Sequence, residues 1–129
     1  MGRRPWMPTR LTRARIDVLT TKFHTQDQKL ELKIHLANIG DTAWLHRPRK
    51  HGWVSIAVRS DPIDGPEYRE AQPRHRLPRE VPPGDALTLE LEFFLDADDE
   101  VRKWRLDLVN EGLFWFSQRG TEAASFHLP

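Results

Sequence analysis

W-R-L-D-L-V-N-E-G-L-F-W-F-S-Q-R-G, from Trp104 to Gly120, is the stretch whose pattern decides the fold. Trp104, Leu106 and Leu108 alternate with Arg105 and Asp107, the period of two that sends successive side chains to opposite faces of a strand. Glu111-Gly112 interrupts the alternation as a turn, and Leu113–Ser117 resumes it as a returning strand. Two further blocks carry the same kind of punctuation: N-I-G-D-T-A-W at Asn38–Trp44 and L-P-R-E-V-P-P-G-D at Leu77–Asp85. Gly40 and Gly84 stand where turns need backbone freedom, and Pro82-Pro83 stiffens the approach to the second turn.

Between these blocks lie short alternating runs. In K-L-E-L-K-I-H-L-A (Lys29–Ala37), Leu30, Leu32, Ile34 and Leu36 share one face while Glu31, Lys33 and His35 share the other. That is the signature of a sheet half buried and half wet. Gly52–Ser60 places Val54, Ile56 and Val58 inward and turns Trp53 the other way. Ala86–Leu95 does the same with Leu87, Leu89, Leu91 and Phe93. Ala14–Thr20 and Ala123–Leu128 are expected as the first and last strands. Glu67–Arg76, charged and containing Pro73, is expected as an edge strand. Asp61–Pro66 and Asp96–Glu100 are expected as loops. Seven or eight strands at this spacing, with no helical period, predict an all-β antiparallel sandwich. One domain over residues 13–129 is expected, behind a flexible basic arm of residues 1–12 in which Trp6 is a candidate to fold back onto the body.

A chain of 129 residues, 38% hydrophobic and 30% charged, suits a single globular core. It has no cysteine, which excludes disulfides, thiolate metal sites and cysteine nucleophiles. No apolar run approaches the ~20 residues of a membrane-spanning helix, and the basic N-terminus lacks the apolar centre of a secretory signal. A soluble, cytoplasmic protein is the expectation. Arg3, Arg4, Arg10, Arg13 and Arg15 precede the first acid, Asp17, so the net charge of +1 divides into a basic arm and a mildly acidic body. The acidic body, with aromatics set apart from the basic clusters, argues against nucleic-acid binding.

No residue set supports catalysis. Asp96-Ala97-Asp98 has the D-x-D form of nucleotide-sugar transferases, but that chemistry needs an α/β nucleotide-binding domain. Asp96, Asp98, Asp99 and Glu100 lack the glycine of a calcium-binding loop. His46, His51 and His75 sit among Arg47, Arg49, Lys50, Arg74 and Arg76, which would repel a cation. No serine or threonine carries a nucleophile motif. The expectation is a protein that is not an enzyme and needs neither cofactor nor metal.

The pattern N-x-G-x-x-x-W, L-P-x-x-V-x-P-G and W-x-L-x-L-V-x-E-G-x-x-W-F-x-x-x-G resembles the immunoglobulin-like module found with bacterial glycosyltransferases and methyltransferases of surface-polysaccharide gene clusters. It is more distantly similar to the four-tryptophan immunoglobulin-like domain of autophagy cargo receptors. The resemblance covers about Ile16 to Leu128. It implies an immunoglobulin-like sandwich serving as a non-catalytic accessory module in polysaccharide biosynthesis, in contact with glycan or protein. Two segments depart from the family pattern: Pro73–His75 and His46–His51 are more cationic.

Saccharides stack their C–H faces on exposed aromatic rings, while charged and amide groups bond the hydroxyls. Alternation puts Trp53 on the face opposite Val54, Ile56 and Val58, sets Trp115 against Phe114 and Phe116, and leaves Tyr68 on the edge strand. These three aromatics, with Arg59, Arg69 and Asp107 as polar partners, form the expected ligand site. The alternative is a docking or dimerisation face built on the same aromatics.

Overall fold

The computed structural model describes residues 11–96 and 103–128. Among the described residues, eight strands form two antiparallel sheets: β1 (Ala14–His24), β2 (Lys29–Asn38), β3 (Val54–Ser60), β4 (His75–Arg76), β5 (Ala86–Phe94), β6 (Trp104–Asn110), β7 (Phe114–Trp115) and β8 (Ala124–Ser125). One sheet has the order β1-β2-β5, and the other runs β4-β3-β6-β7 with β8 also on β6. This is the strand arrangement of an immunoglobulin-like sandwich. β7 and β8 share one edge of β6: β7 pairs at Val109 and Asn110, and β8 at Arg105 and Leu106. A 3-10 turn, Phe116–Arg119, lies between them in sequence.

The core joins the inner faces that alternation marks. Leu30, Leu32, Ile34 and Leu36 of β2 stand in register with Phe93, Leu91, Leu89 and Leu87 of β5. Opposite them pack Val54, Ile56 and Val58 of β3 with Trp104, Leu106 and Leu108 of β6. Burying each such side chain contributes about 1.5–3 kcal/mol. Trp44 is 1% exposed and meets Phe116 edge-on at 5.7 Å between ring centroids.

The two punctuated blocks clasp each other. Trp44 and Val81 exchange backbone hydrogen bonds of 2.9 and 3.0 Å, and Gly84 N donates to Asn38 O at 2.8 Å. The buried Asn38 amide donates to Thr42 O at 3.0 Å and Val81 O at 2.9 Å, while its oxygen accepts Gly40 N at 3.1 Å. The two glycines serve different ends. Gly84 adopts φ +86°, which suits a residue without a side chain. Gly40 has no such angle; a Cβ there would lie against the Leu11 carbonyl and 2.8 Å from Arg13 N. Gly40 therefore serves the close approach of residues 11–13, which brings Leu11, expected within the arm, onto the body. Met1–Arg10, with Trp6, lie outside the described residues.

Four strands differ from expectation, and the last of them, expected over Ala123–Leu128, is only the two-residue β8. β1 runs on to His24 because a bulge between Val18 and Thr20 reverses its alternation. Before it Ala14 and Ile16 point inward; after it Phe23 does, and Leu19 is left 51% exposed. The edge strand expected over Glu67–Arg76 becomes a connection between the sheets. Glu70 bridges Arg59 of β3, Gln72 bridges Phe94 of β5, and only His75–Arg76 forms a strand. Leu113–Ser117 shortens to β7, because the backbone tightens into the 3-10 turn, where Gln118 Oε1 accepts Trp115 N at 2.9 Å.

Candidate functional site

The outer face of the larger sheet carries four of the six expected site residues, but not as a solvent-facing rim. Every residue of β3 is buried, on both faces. Arg59 is 2% exposed and Asp107 is fully buried, so neither is open to a saccharide hydroxyl in this arrangement. The alternation placed both on the outer face correctly. It did not show that the 3-10 turn and the connection from Asp61 to Arg74 close over them.

The pair is held on all sides. Arg59 Nε and Nη2 donate to Asp107 Oδ2 at 3.0 and 2.8 Å. Nη2 also meets Ser117 Oγ at 3.0 Å, and Nη1 donates to Asp61 Oδ1 at 2.7 Å. Ser117 Oγ donates to Asp107 Oδ2 at 2.5 Å, and Asp107 Oδ1 accepts Leu108 N at 2.8 Å. Asp61 in turn binds Arg105, which also reaches Ser125 Oγ. Burial pushes the Asp61 carboxyl up, but the hydrogen bonds from Arg105 and Arg59 outweigh it and hold the group below its usual value.

Trp115, opposite Val109 of β6, is half-buried beside this cluster. The Arg59 guanidinium lies 5.4 Å from its ring centroid and that of Arg74 lies 5.1 Å away, both within cation–π range. Arg74 is fixed from both sides: Nε and Nη2 donate to Glu70 at 2.6 and 2.9 Å, and Nη1 donates to Glu111 at 2.8 Å. The Glu70 bond is the chief reason its pKa rises above the ordinary arginine value. Tyr68 joins through its hydroxyl, which donates to Glu70 Oε1 at 2.7 Å. Burial, then the bond to Glu70, raises its pKa well above the usual phenol value.

The other two expected residues stand apart. Arg69 is exposed and folds back to donate to Tyr68 O at 2.9 Å. Trp53 is half-buried just before β3, where its carbonyl accepts Glu111 N at 2.7 Å. It is not among the groups that stack on Trp115. Arg74, Glu70, Glu111 and Ser117 were not expected here; they reach the site through loop geometry, for which the sequence offers no periodic signal.

The result is a fixed aromatic ring in a frame of paired charges, with carboxylate oxygens and hydroxyls at its border. Such a surface can stack an apolar ring face and exchange hydrogen bonds with hydroxyls. Among the described residues there is no group of three or more His, Asp or Glu side chains able to hold a metal ion; Ala97–Arg102, with most of the acidic loop, lie outside them. No helix among the described residues is long and apolar enough to cross a membrane.

No family model matches this chain, and no curated protein matches it. Among solved structures it is similar to beta-glucosidase 3B from Thermotoga neapolitana in complex with glucose, at 14% identity and a TM-score of 0.45 over 89% of this chain. The same enzyme in complex with glycerol gives 14% identity and a TM-score of 0.44 over 92%. A beta-glucosidase from Kluyveromyces marxianus gives 13% and 0.42 over 90%. This chain spans 16%, 16% and 14% of those chains. Likeness of this degree concerns the path of the chain and says nothing of a shared activity.

Proposed function

We propose that this domain is a non-catalytic binding module that takes glycan on the outer face of its larger sheet, centred on Trp115. The observation that carries the reading is the preorganisation of that ring: two guanidinium groups at 5.4 and 5.1 Å are themselves locked by four carboxylates. A sugar that stacks there orders little of the protein, which limits the entropic cost of binding. Glu70, Glu111 and Tyr68 offer hydrogen-bonding atoms at the border. Arg59 and Asp107 act beneath the ring, positioning it rather than touching ligand. An accessory role in polysaccharide biosynthesis rests on the sequence resemblance.

Native gel electrophoresis through immobilised polysaccharides tests the site. Wild-type protein is expected to be retarded by at least one polymer, and Trp115→Ala, checked as folded by circular dichroism, is expected to run freely. Equal retardation of the two proteins would remove Trp115 from the site. The docking reading draws on one observation, the 54% exposure of Leu113 on the turn that follows β6. It predicts a concentration-dependent dimer in sedimentation and no retardation by any polymer.

A further inference from the structure

Among the described residues, the loop before β3 carries a block of cations without carboxylate partners. No acid occurs between Asp41 and Asp61, while Arg47, Arg49 and Lys50 occur in immediate succession around Pro48. All three are exposed, and among the described residues none makes an ion pair or hydrogen bond. The arginines of the aromatic site, by contrast, are each matched to carboxylates.

The loop is held against that site. Val54 N donates to Leu45 O at 2.9 Å and closes its base, and Gly52 N donates to Glu111 O at 2.8 Å. At its far end, a Cβ on Gly112 would come within 2.9 Å of the His51 Cβ, so loop and turn pack directly together. Glu111, on the same turn, binds Arg74, which stacks on Trp115. An unbroken series of contacts thus runs from the free cations, across the Glu111–Gly112 turn, to the aromatic ring. Glu111 is the acid on this path, and it shares Arg74 with Glu70, so the two carboxylates keep one net negative charge between them.

We propose that the ligand is an acidic polysaccharide, one bearing carboxylate groups, with Arg47, Arg49 and Lys50 as the anion-binding end of the site; this rests on the glycan reading above. The charge distribution favours spaced anions over a continuous phosphate chain. A nucleic-acid strand carries a charge about every 3.4 Å, and its phosphates would run over Glu70 and Glu111. Those carboxylates accept hydroxyls and repel anions, so they suit the neutral stretches of a sugar polymer.

The test is isothermal titration of wild type and the triple variant R47A/R49A/K50A with uronate polymers (polygalacturonate, alginate, hyaluronan), neutral dextran and galactomannan, and single-stranded homopolymeric RNA. The three side chains have no partners among the described residues, so the variant should keep its fold. Wild type is expected to prefer at least one uronate polymer, with affinity falling as salt rises. The variant is expected to lose about tenfold or more of that affinity, from three exposed charge contacts. Equal affinity for neutral polymers, or full affinity in the variant, would overturn the charge assignment and leave the glycan reading standing. Preference for RNA would overturn it in favour of nucleic acid. Failure to bind any polysaccharide would remove the glycan reading and this inference with it.

Discussion

Asp107 and Ser55 point to the same buried face with opposite consequences. Asp107 has each oxygen bonded, and removing its charge leaves Arg59 buried against a neutral neighbour. Asp107→Ala should therefore cost about 3–5 kcal/mol, a large share of the ~5–15 kcal/mol that holds a typical domain, measured as a fall in the urea midpoint. Ser55 Oγ is buried with no hydrogen-bond partner among the described residues. Its desolvation is uncompensated, so Ser55→Ala should leave the midpoint unchanged or raise it. The glycines divide in the same way. Gly84→Ala meets only its own backbone angle, since nothing lies within 4 Å, and should cost about 1–2 kcal/mol. Gly40→Ala would press on the backbone of Leu11 and Arg13 and should cost more. Equal losses at the two positions would contradict these separate roles.

At the scale of elements, the connection from Asp61 to Arg74 decides what the outer face presents. It ties Tyr68, Glu70 and Arg74 over β3, and the chain's single tyrosine reports on it directly. Tyrosinate absorbance in the native protein should rise only well above pH 10, and at about pH 10 in urea. A folded pKa raised above the unfolded one gives stability that is complete below about pH 10 and lost as pH rises through the folded value. Glu70→Gln should bring the native midpoint down, though not fully, because burial is the larger cause. An unmoved midpoint would show that Glu70 does not hold the phenol. This connection also marks the limit of what the sequence makes legible. Leu30 to Leu36 and Leu87 to Phe93 declared their strands and facing through period-two alternation, and Trp44 and Trp104 their place in the core. Arg59 and Asp107 were assigned to the correct face, but alternation shows only which way a side chain points, not whether something covers it. Their cover comes from Ser117 in a 3-10 turn and from Glu70 and Arg74 in a connection that passes between sheets, none of which has a period. The bulge at Leu19 hid half of β1 for the same reason, by switching the inward positions from even to odd.

For the molecule as a whole, the two sheets have different surfaces. The outer face of β1-β2-β5 is wet and carries charges of both signs, with Lys22, Glu31 and Glu92 aligned across its three strands. The outer face of the larger sheet is buried through most of β3 and leaves Trp115 half-exposed inside a frame of fixed charges, with free cations at one end. The account rests on that second face being the one that binds. Selective isotopic labelling of the tryptophan indoles tests it directly, by nuclear magnetic resonance during titration with uronate and neutral polysaccharides. The Trp115 indole signal is expected to shift, while those of the buried Trp44 and Trp104 stay in place. A polysaccharide that binds without moving the Trp115 signal would contradict the account.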